Sequence, residues 1–216
     1  MRAAAVRHDG LVRWAGAALA AGGVLTALIN ALLTPAVATG QPFAVTAATP
    51  VFLWRQAASA LAAALLLFGS VGLHLRQAGR AGGFGAAAFA LAFLGSALLL
   101  SSEWAEVFLV RTLAQRAPEA LRALDAGPGP SPYDLGSIAA LATFMLGWIA
   151  LAAATIRAGV LSRRAATLVI VGLFSIPLLH PVLPGVWGAA VGNVILGAGW
   201  LWLGLDLRRP APGEEA

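Results

Sequence analysis

Residues Val51–Leu109 read VFLWRQAASALAAALLLFGSVGLHLRQAGRAGGFGAAAFALAFLGSALLLSSEWAEVFL. Two long apolar runs stand out in this stretch. Val51–Leu75 carries one charged side chain, Arg55, and Phe84–Leu109 carries two, Glu103 and Glu106. A helix crosses a bilayer with about 20 mostly apolar residues, and both runs suffice. The link between them holds Arg76 and Arg80. The stretch therefore reads as two spanning helices joined by a basic connection. Four further segments repeat the pattern: Leu11–Leu33, Ile138–Ile156, Ala165–Leu183 and Gly185–Leu205. The expectation is an all-α, polytopic transmembrane helix bundle of about six spanning helices, with residues 1–216 as one domain. The last two helices are separated only by His180-Pro181-Val182-Leu183-Pro184-Gly185, whose prolines and glycine suit a tight hairpin.

Composition excludes a soluble reading. Hydrophobic residues make up 60% of the chain and charged residues 11%, against roughly 25% charged in ordinary globular domains. The net charge of +5 would suggest nucleic acid in a soluble protein. Here the basic residues stand in short clusters between apolar runs, which membrane topology explains better. All fourteen are Arg; without Lys there is no Schiff base to retinal or pyridoxal phosphate. Without Cys there is no disulfide, thiolate nucleophile, Cys zinc site or iron–sulfur cluster. The three histidines, His8, His74 and His180, offer no metal site, and His74 and His180 fall near opposite faces, unsuited to a shared haem. No cofactor and no metal are expected.

Arg placement orients the chain. Arg2, Arg7 and Arg13 precede the first helix; Arg76 and Arg80 follow the second; Arg157, Arg163 and Arg164 follow the fourth; Arg208 and Arg209 follow the sixth. These ten lie in alternate connections, hence on one face. The opposite connections hold Arg111, Arg116 and Arg122, beside Glu119, Asp125 and Asp134. By the positive-inside rule both termini are cytoplasmic in a bacterial inner membrane. The N-terminal arginines, apolar stretch and Ala36-Val37-Ala38 also resemble a cleavable signal peptide. The apolar stretch exceeds the usual 7–15 residues, which favours a retained first helix.

Within the outer loop, residues 111–137, Pro118–Asp125 reads as a short helix with Pro in its first turn. It is either an amphipathic segment on the outer membrane surface or a solvated connector. Gly127-Pro128-Gly129-Pro130-Ser131-Pro132 breaks it.

Helices in lipid associate through close packing of small residues. Stripes at helical spacing run through Gly16, Ala20, Gly23 and Ala27; Ala88, Ala92, Gly95 and Ser96; Ala140, Thr143, Gly147, Ala150 and Ala154; and Gly185, Gly188, Gly192 and Gly199. These read as intramolecular packing faces, with a dimer interface as the alternative. Trp14, Trp200 and Trp202 are assigned to the inner aromatic belt, Trp54, Trp104 and Trp187 to the outer one. Trp148 falls mid-helix, in a packing role. Pro177 is expected to kink the fifth helix.

One polar group needs a reason, because a charge at mid-membrane costs roughly 2.5–3.5 kcal/mol on insertion scales. Asn30, Arg55, Glu103, Glu106 and His180 come from four helices and share a depth near the outer end. Glu103 and Glu106, spaced i, i+3, share a face. Arg55 is expected to pair with one of them, either closing the bundle as a structural ion pair or lining an outward-facing pocket. Asn193 is expected to bond between helices, and His74 to sit at the inner interface beside Arg76. No phosphate loop, zinc-protease motif, nucleophile elbow or dinucleotide fingerprint is present.

Arg157-Ala158-Gly159-Val160-Leu161-Ser162-Arg163-Arg164-Ala165-Ala166, Trp202-Leu203-Gly204, and Gly82-Gly83-Phe84-Gly85 leading to Glu103-Trp104 together resemble small six-helix integral membrane proteins of high-GC bacteria that carry no known activity. The resemblance implies the helix count and no site. Functionally the chain reads as a non-enzymatic accessory subunit or a binder of lipid or a small amphiphile. One alternative resembles the small six-helix substrate-binding subunits of vitamin uptake systems. Another is an intramembrane enzyme on a lipid or prenyl substrate with Glu103 or Glu106 as acid or base. Expected partners are the bilayer, a membrane protein, or a lipid or small amphiphilic ligand, and no nucleic acid.

Overall fold

A computed structural model describes residues 2–37, 40–125, 129–179 and 181–209, with side chains for all of these except 2–9, 124 and 125. Among the described residues there is helix and no strand. The helices are α1 (Arg2–Leu28), α2 (Phe43–Ala47), α3 (Pro50–Ala105), α4 (Arg111–Arg116), α5 (Pro118–Asp125), α6 (Pro132–Ala158), α7 (Arg163–Leu179) and α8 (Trp187–Leu207). Two five-residue π-helical stretches, Ile29–Leu33 and Glu106–Val110, extend α1 and α3. Among the described residues four segments are long and apolar enough to cross a membrane: Gly10–Leu33, Pro50–Arg116, Pro132–Ala158 and Trp187–Leu207. At 17 residues, α7 is shorter than these.

The stretch read as two helices and a link is helical throughout except at Gly82, with φ 59° and ψ −158°. That region of backbone space is essentially reserved for glycine. There α3 folds back on itself: His74 stacks on Phe89 at 4.3 Å between centroids, and Gln56 bonds Glu106. The chain turns through a single residue where a longer link was expected. The two arms, 50–81 and 83–105, are antiparallel neighbours.

The other rods alternate in the same way. The first arm of α3 runs antiparallel to α1, with Gly69 against Leu19 and Gly22 against Leu66. The second arm runs antiparallel to α6, with Gly95 against Phe144 and Gly147 against Ala92. After the left-handed Gly159 (φ 65°), α6 leads into α7. Gly172 of α7 meets Leu196 of α8, and Gly199 meets Val169. Gly16 and Gly23 of α1 meet Gly204 and Gly197 of α8. The order α1, first arm, second arm, α6, α7, α8 thus closes on α1 as a ring. The small-residue stripes form the seams of this ring except at Gly185, which precedes α8 and has nothing within 4 Å of a built Cβ; Gly192 is used within the chain, against Ile176 of α7.

The ring's interior is filled at mid-height by Leu19, Leu66, Leu151, Trp148, Leu196 and Trp200. Trp200, assigned above to an interfacial belt, is fully buried (0% exposed) against Trp148 and Phe144. It lies on the helix face that carries the buried Leu196, Gly197 and Gly204 rather than on the outer face with Trp202. Trp14, Trp54, Trp104 and Trp187 are exposed.

The predicted outer loop is mostly helix. α6 begins at Pro132, earlier than Ile138, because Ser131 and Asp134 form a reciprocal capping box and Pro132 occupies the first turn. Leu121 of α5 is 2% exposed and packs with Ala44, Ala47, Phe52, Val110 and Ala114. α5, the expected short helix, docks on α2 and α4 through Leu121 and caps one end of the ring, so it is not a solvated connector. The second arm of α3 continues through the π-helical stretch into α4, past the end expected at Leu109. Pro177 lies in the last turn of α7, which stops at Leu179, before the expected end at Leu183.

Candidate functional site

Toward the capped end of the ring lies a cavity of about 290 Å3 lined from every rod. Asn30 and Thr26 come from α1 and its π-helical extension, Arg55 and Ser59 from the first arm, Glu103 from the second, Phe144 and Met145 from α6, Ile176 from α7, and Asn193 and Trp200 from α8. Its polar groups lie toward the cap, and its floor is the aromatic cluster. Arg76, Arg157, Arg163, Arg164, Arg208 and Arg209 lie on the connections at the opposite end of the ring.

Local structure places these side chains. Thr49 caps the start of α3 by accepting from the Phe52 N–H at 3.2 Å, with Pro50 in the first turn, so Arg55 stands in the second turn facing inward. Asn30 sits in the π-helical stretch Ile29–Leu33, and Glu106 begins the other one. Single π-helical turns are frequent at functional sites, where the wider turn re-aims a side chain.

Three of the five predicted site residues, Asn30, Arg55 and Glu103, line this one cavity. Glu106 does not. Three residues along a helix leave two side chains about 60° apart, at 3.6 residues per turn. Glu106 accepts from Tyr133 Oη at 2.9 Å and from the Gln56 amide, and it lines a second cavity of about 630 Å3 beneath α5. His180 lies outside the described residues.

The expected ion pair of Arg55 with Glu103 or Glu106 is not formed. Among the described residues no carboxylate comes within 4.0 Å of its guanidinium, and the ion pairs there are Arg122–Glu119 and Arg209–Asp206. Arg55 instead donates from Nε to Thr34 Oγ1 at 3.1 Å and from a terminal nitrogen to Gln56 Oε1. Gln56, 2% exposed, in turn donates to Glu106. A neutral amide thus spans the gap between the cation and the carboxylate. The polar chain runs Thr34, Arg55, Gln56, Glu106, Tyr133. Glu103 lies beside this chain, within reach of the Arg55 charge and the Gln56 amide, and its Oε2 is buried with no hydrogen bond among the described residues.

Asn193 donates to Ala189 O of its own helix at 2.9 Å rather than across a helix pair. His74, beside Arg76 in sequence, stacks on Phe89. Thr34, Gln56 and Tyr133 were not singled out as site residues. Gln56 could have been found from its place beside Arg55 in an apolar run, and Tyr133 from the Ser131–Asp134 capping signal that starts α6 before Ile138. Among the described residues no three of His, Cys, Asp and Glu come together. Compared with family models, with curated proteins and with solved structures, the chain matches none.

Proposed function

We propose that the chain is a six-crossing protein of a bacterial inner membrane, with both termini in the cytoplasm, that binds a lipid or small amphiphile in the cavity toward its capped end. Both arms of α3 and the short α7 count as crossings here. At 1.5 Å per residue α7 is about 26 Å long, near the lower limit for a span. Strict alternation of the six rods supports an even count. The gathering of arginines at the end that holds the termini supports their cytoplasmic placement.

The observation that carries the binding role is the cavity itself, which draws on all six rods and joins a polar rim to an apolar, aromatic floor. Ligand sites commonly have this composition. The floor favours a second reading over an enzyme. Trp148, Trp200 and Phe144 close the ring below the cavity, as a substrate-binding subunit of an uptake system requires of its outward state. The accessory-subunit role fits the same geometry, with a membrane protein partner.

Native mass spectrometry of the gently purified full chain beside Arg55→Ala tests the binding role. A discrete small-molecule adduct on the wild type, lost in the variant, is the expected result. The same adducts on both, or none on either, would overturn it and leave Arg55 a structural residue.

A further inference from the structure

The end of the ring opposite the cap holds a pocket of its own, about 370 Å3 in volume. Arg76 reaches it from the first arm of α3, Leu161 and Ser162 from the link between α6 and α7, and Trp202, Asp206 and Arg209 from α8. Asp206 is its one carboxylate, 8% exposed and engaged within the chain. Its Oδ2 accepts the Ser162 N–H at 3.2 Å, and its Oδ1 lies 3.1 Å from the Arg209 guanidinium, in an ion pair without a directed hydrogen bond. The two guanidinium groups are the accessible charges. The Arg209 side chain is 74% exposed, and Arg76 is half-buried. Arg76 spends one N–H on Arg209 O at 2.7 Å, and its remaining donors meet no acceptor among the described residues. Arg163 and Arg164 stand exposed in the first turn of α7, beside the link, whereas Glu103, Glu106, Glu119 and Asp134 lie toward the capped end. Accessible charge and unspent donors therefore agree in sign here, and both suit an anion.

We propose that this pocket holds the phosphate of an anionic phospholipid headgroup between Arg76 and Arg209, with Trp202 at the boundary to the acyl chains. This rests on the crossings and the cytoplasmic placement of this end given above, and not on the cavity near the cap. A guanidinium matches phosphate oxygens with paired N–H groups. Basic pockets between spanning helices on the cytoplasmic side take such headgroups, since that leaflet carries anionic lipid. The pocket's wall favours a lipid over a soluble anion. Trp202 lines the pocket and is 38% exposed, on the same outer face of α8 as the exposed Leu205, so the pocket opens beside a lipid-facing surface. Tryptophan is enriched at the headgroup level of a bilayer.

The probes are phosphatidylglycerol and phosphatidylcholine with identical acyl chains, titrated into the delipidated full chain in non-ionic micelles and read by native mass spectrometry. The wild type should bind phosphatidylglycerol about tenfold tighter than phosphatidylcholine, and inorganic phosphate in large excess should not displace it. In Arg76→Gln, phosphatidylglycerol falls to the level of phosphatidylcholine, while phosphatidylcholine keeps its wild-type affinity, which also shows that the variant is folded. Arg80→Gln removes an exposed charge from the same arm outside the pocket and should keep the wild-type preference. The wild-type ranking, the phosphate competition and Arg80→Gln decide the matter even if Arg76→Gln does not fold. Equal binding of the two lipids, a preference that survives Arg76→Gln, or an equal loss in Arg80→Gln overturns the site. Displacement by inorganic phosphate assigns the pocket to a soluble anion and overturns the lipid. Micelles leave open which side of the membrane this end faces, so failure of the site and failure of the orientation are separate results.

Discussion

Trp148 and Trp200 meet edge to face across the ring, 5.1 Å apart between centroids, although they belong to helices that are not neighbours around it. Trp148 also donates from Nε1 to Ser96 Oγ at 3.1 Å. The pair ties α6, α8 and the second arm of α3 together at the level where the cavity ends.

Trp148→Ala should therefore destabilise the bundle by about 3–5 kcal/mol, as truncation of a large buried aromatic does. Trp148→Phe keeps a ring and loses the bond to Ser96, and should cost about 1 kcal/mol. Reversible unfolding in mixed micelles measures both. Equal losses in the two variants would mean that the hydrogen bond, and not the ring, carries the contact.

Glycines at the seams and on the surface should respond to alanine with opposite signs. A Cβ on Gly172 would lie 2.5 Å from the Leu196 backbone nitrogen, so Gly172→Ala forces α7 and α8 apart and destabilises by about 1–3 kcal/mol. Gly79, exposed on the first arm of α3, has nothing within 4 Å of a built Cβ. Gly79→Ala should stabilise by about 0.5–1 kcal/mol by improving helix propensity. The same unfolding assay separates the two, and a gain at both positions would argue against the seam.

Those seams were legible in the sequence because a small residue every three or four positions has a physical meaning that needs no partner to be known. Arg55 and Glu103 were legible as a shared depth, since charge is scarce in so apolar a chain. Their connection was not. Which side chain bridges a gap depends on rotation about each helix, and a π-helical turn at Ile29–Leu33 or Glu106–Val110 resets that rotation without a composition signal. Trp200 misled for a related reason: its distance from the chain's basic end resembles that of an interfacial tryptophan, while its angular position beside Gly197 and Gly204 turns it inward. Capping residues at Ser131 and Asp134 were present but stood within a Pro/Gly-rich run that read as a break.

Gln77 should be improvable. It is 0% exposed, and neither its Oε1 nor its Nε2 has a partner among the described residues. A buried amide without hydrogen bonds costs about 1–3 kcal/mol in protein mutational data. Gln77→Leu, of similar size, should raise stability by an amount in that range. A loss of stability on unfolding would show that the amide has a partner in the assembled membrane protein.

Absence of native cysteine makes topology directly testable. Glu119→Cys, on the exposed face of α5, should react with a membrane-impermeant maleimide added outside intact spheroplasts. Gly79→Cys, near the Gly82 reversal, should react only after permeabilisation. Protection of Gly79→Cys under both conditions would mean that α3 does not cross twice.

Closure of the ring places the first and last long helices side by side, with Gly16 and Gly23 of α1 against Gly204 and Gly197 of α8. During synthesis the glycine face of α1 therefore meets its partner only after α8 has been made. Its final neighbour is the farthest in sequence, and closing that contact incurs the largest loop-closure entropy of any seam. Helix formation and closure of the ring are thereby separated in time. A chain truncated before α8 would expose the face that quality-control proteases could read as unfinished.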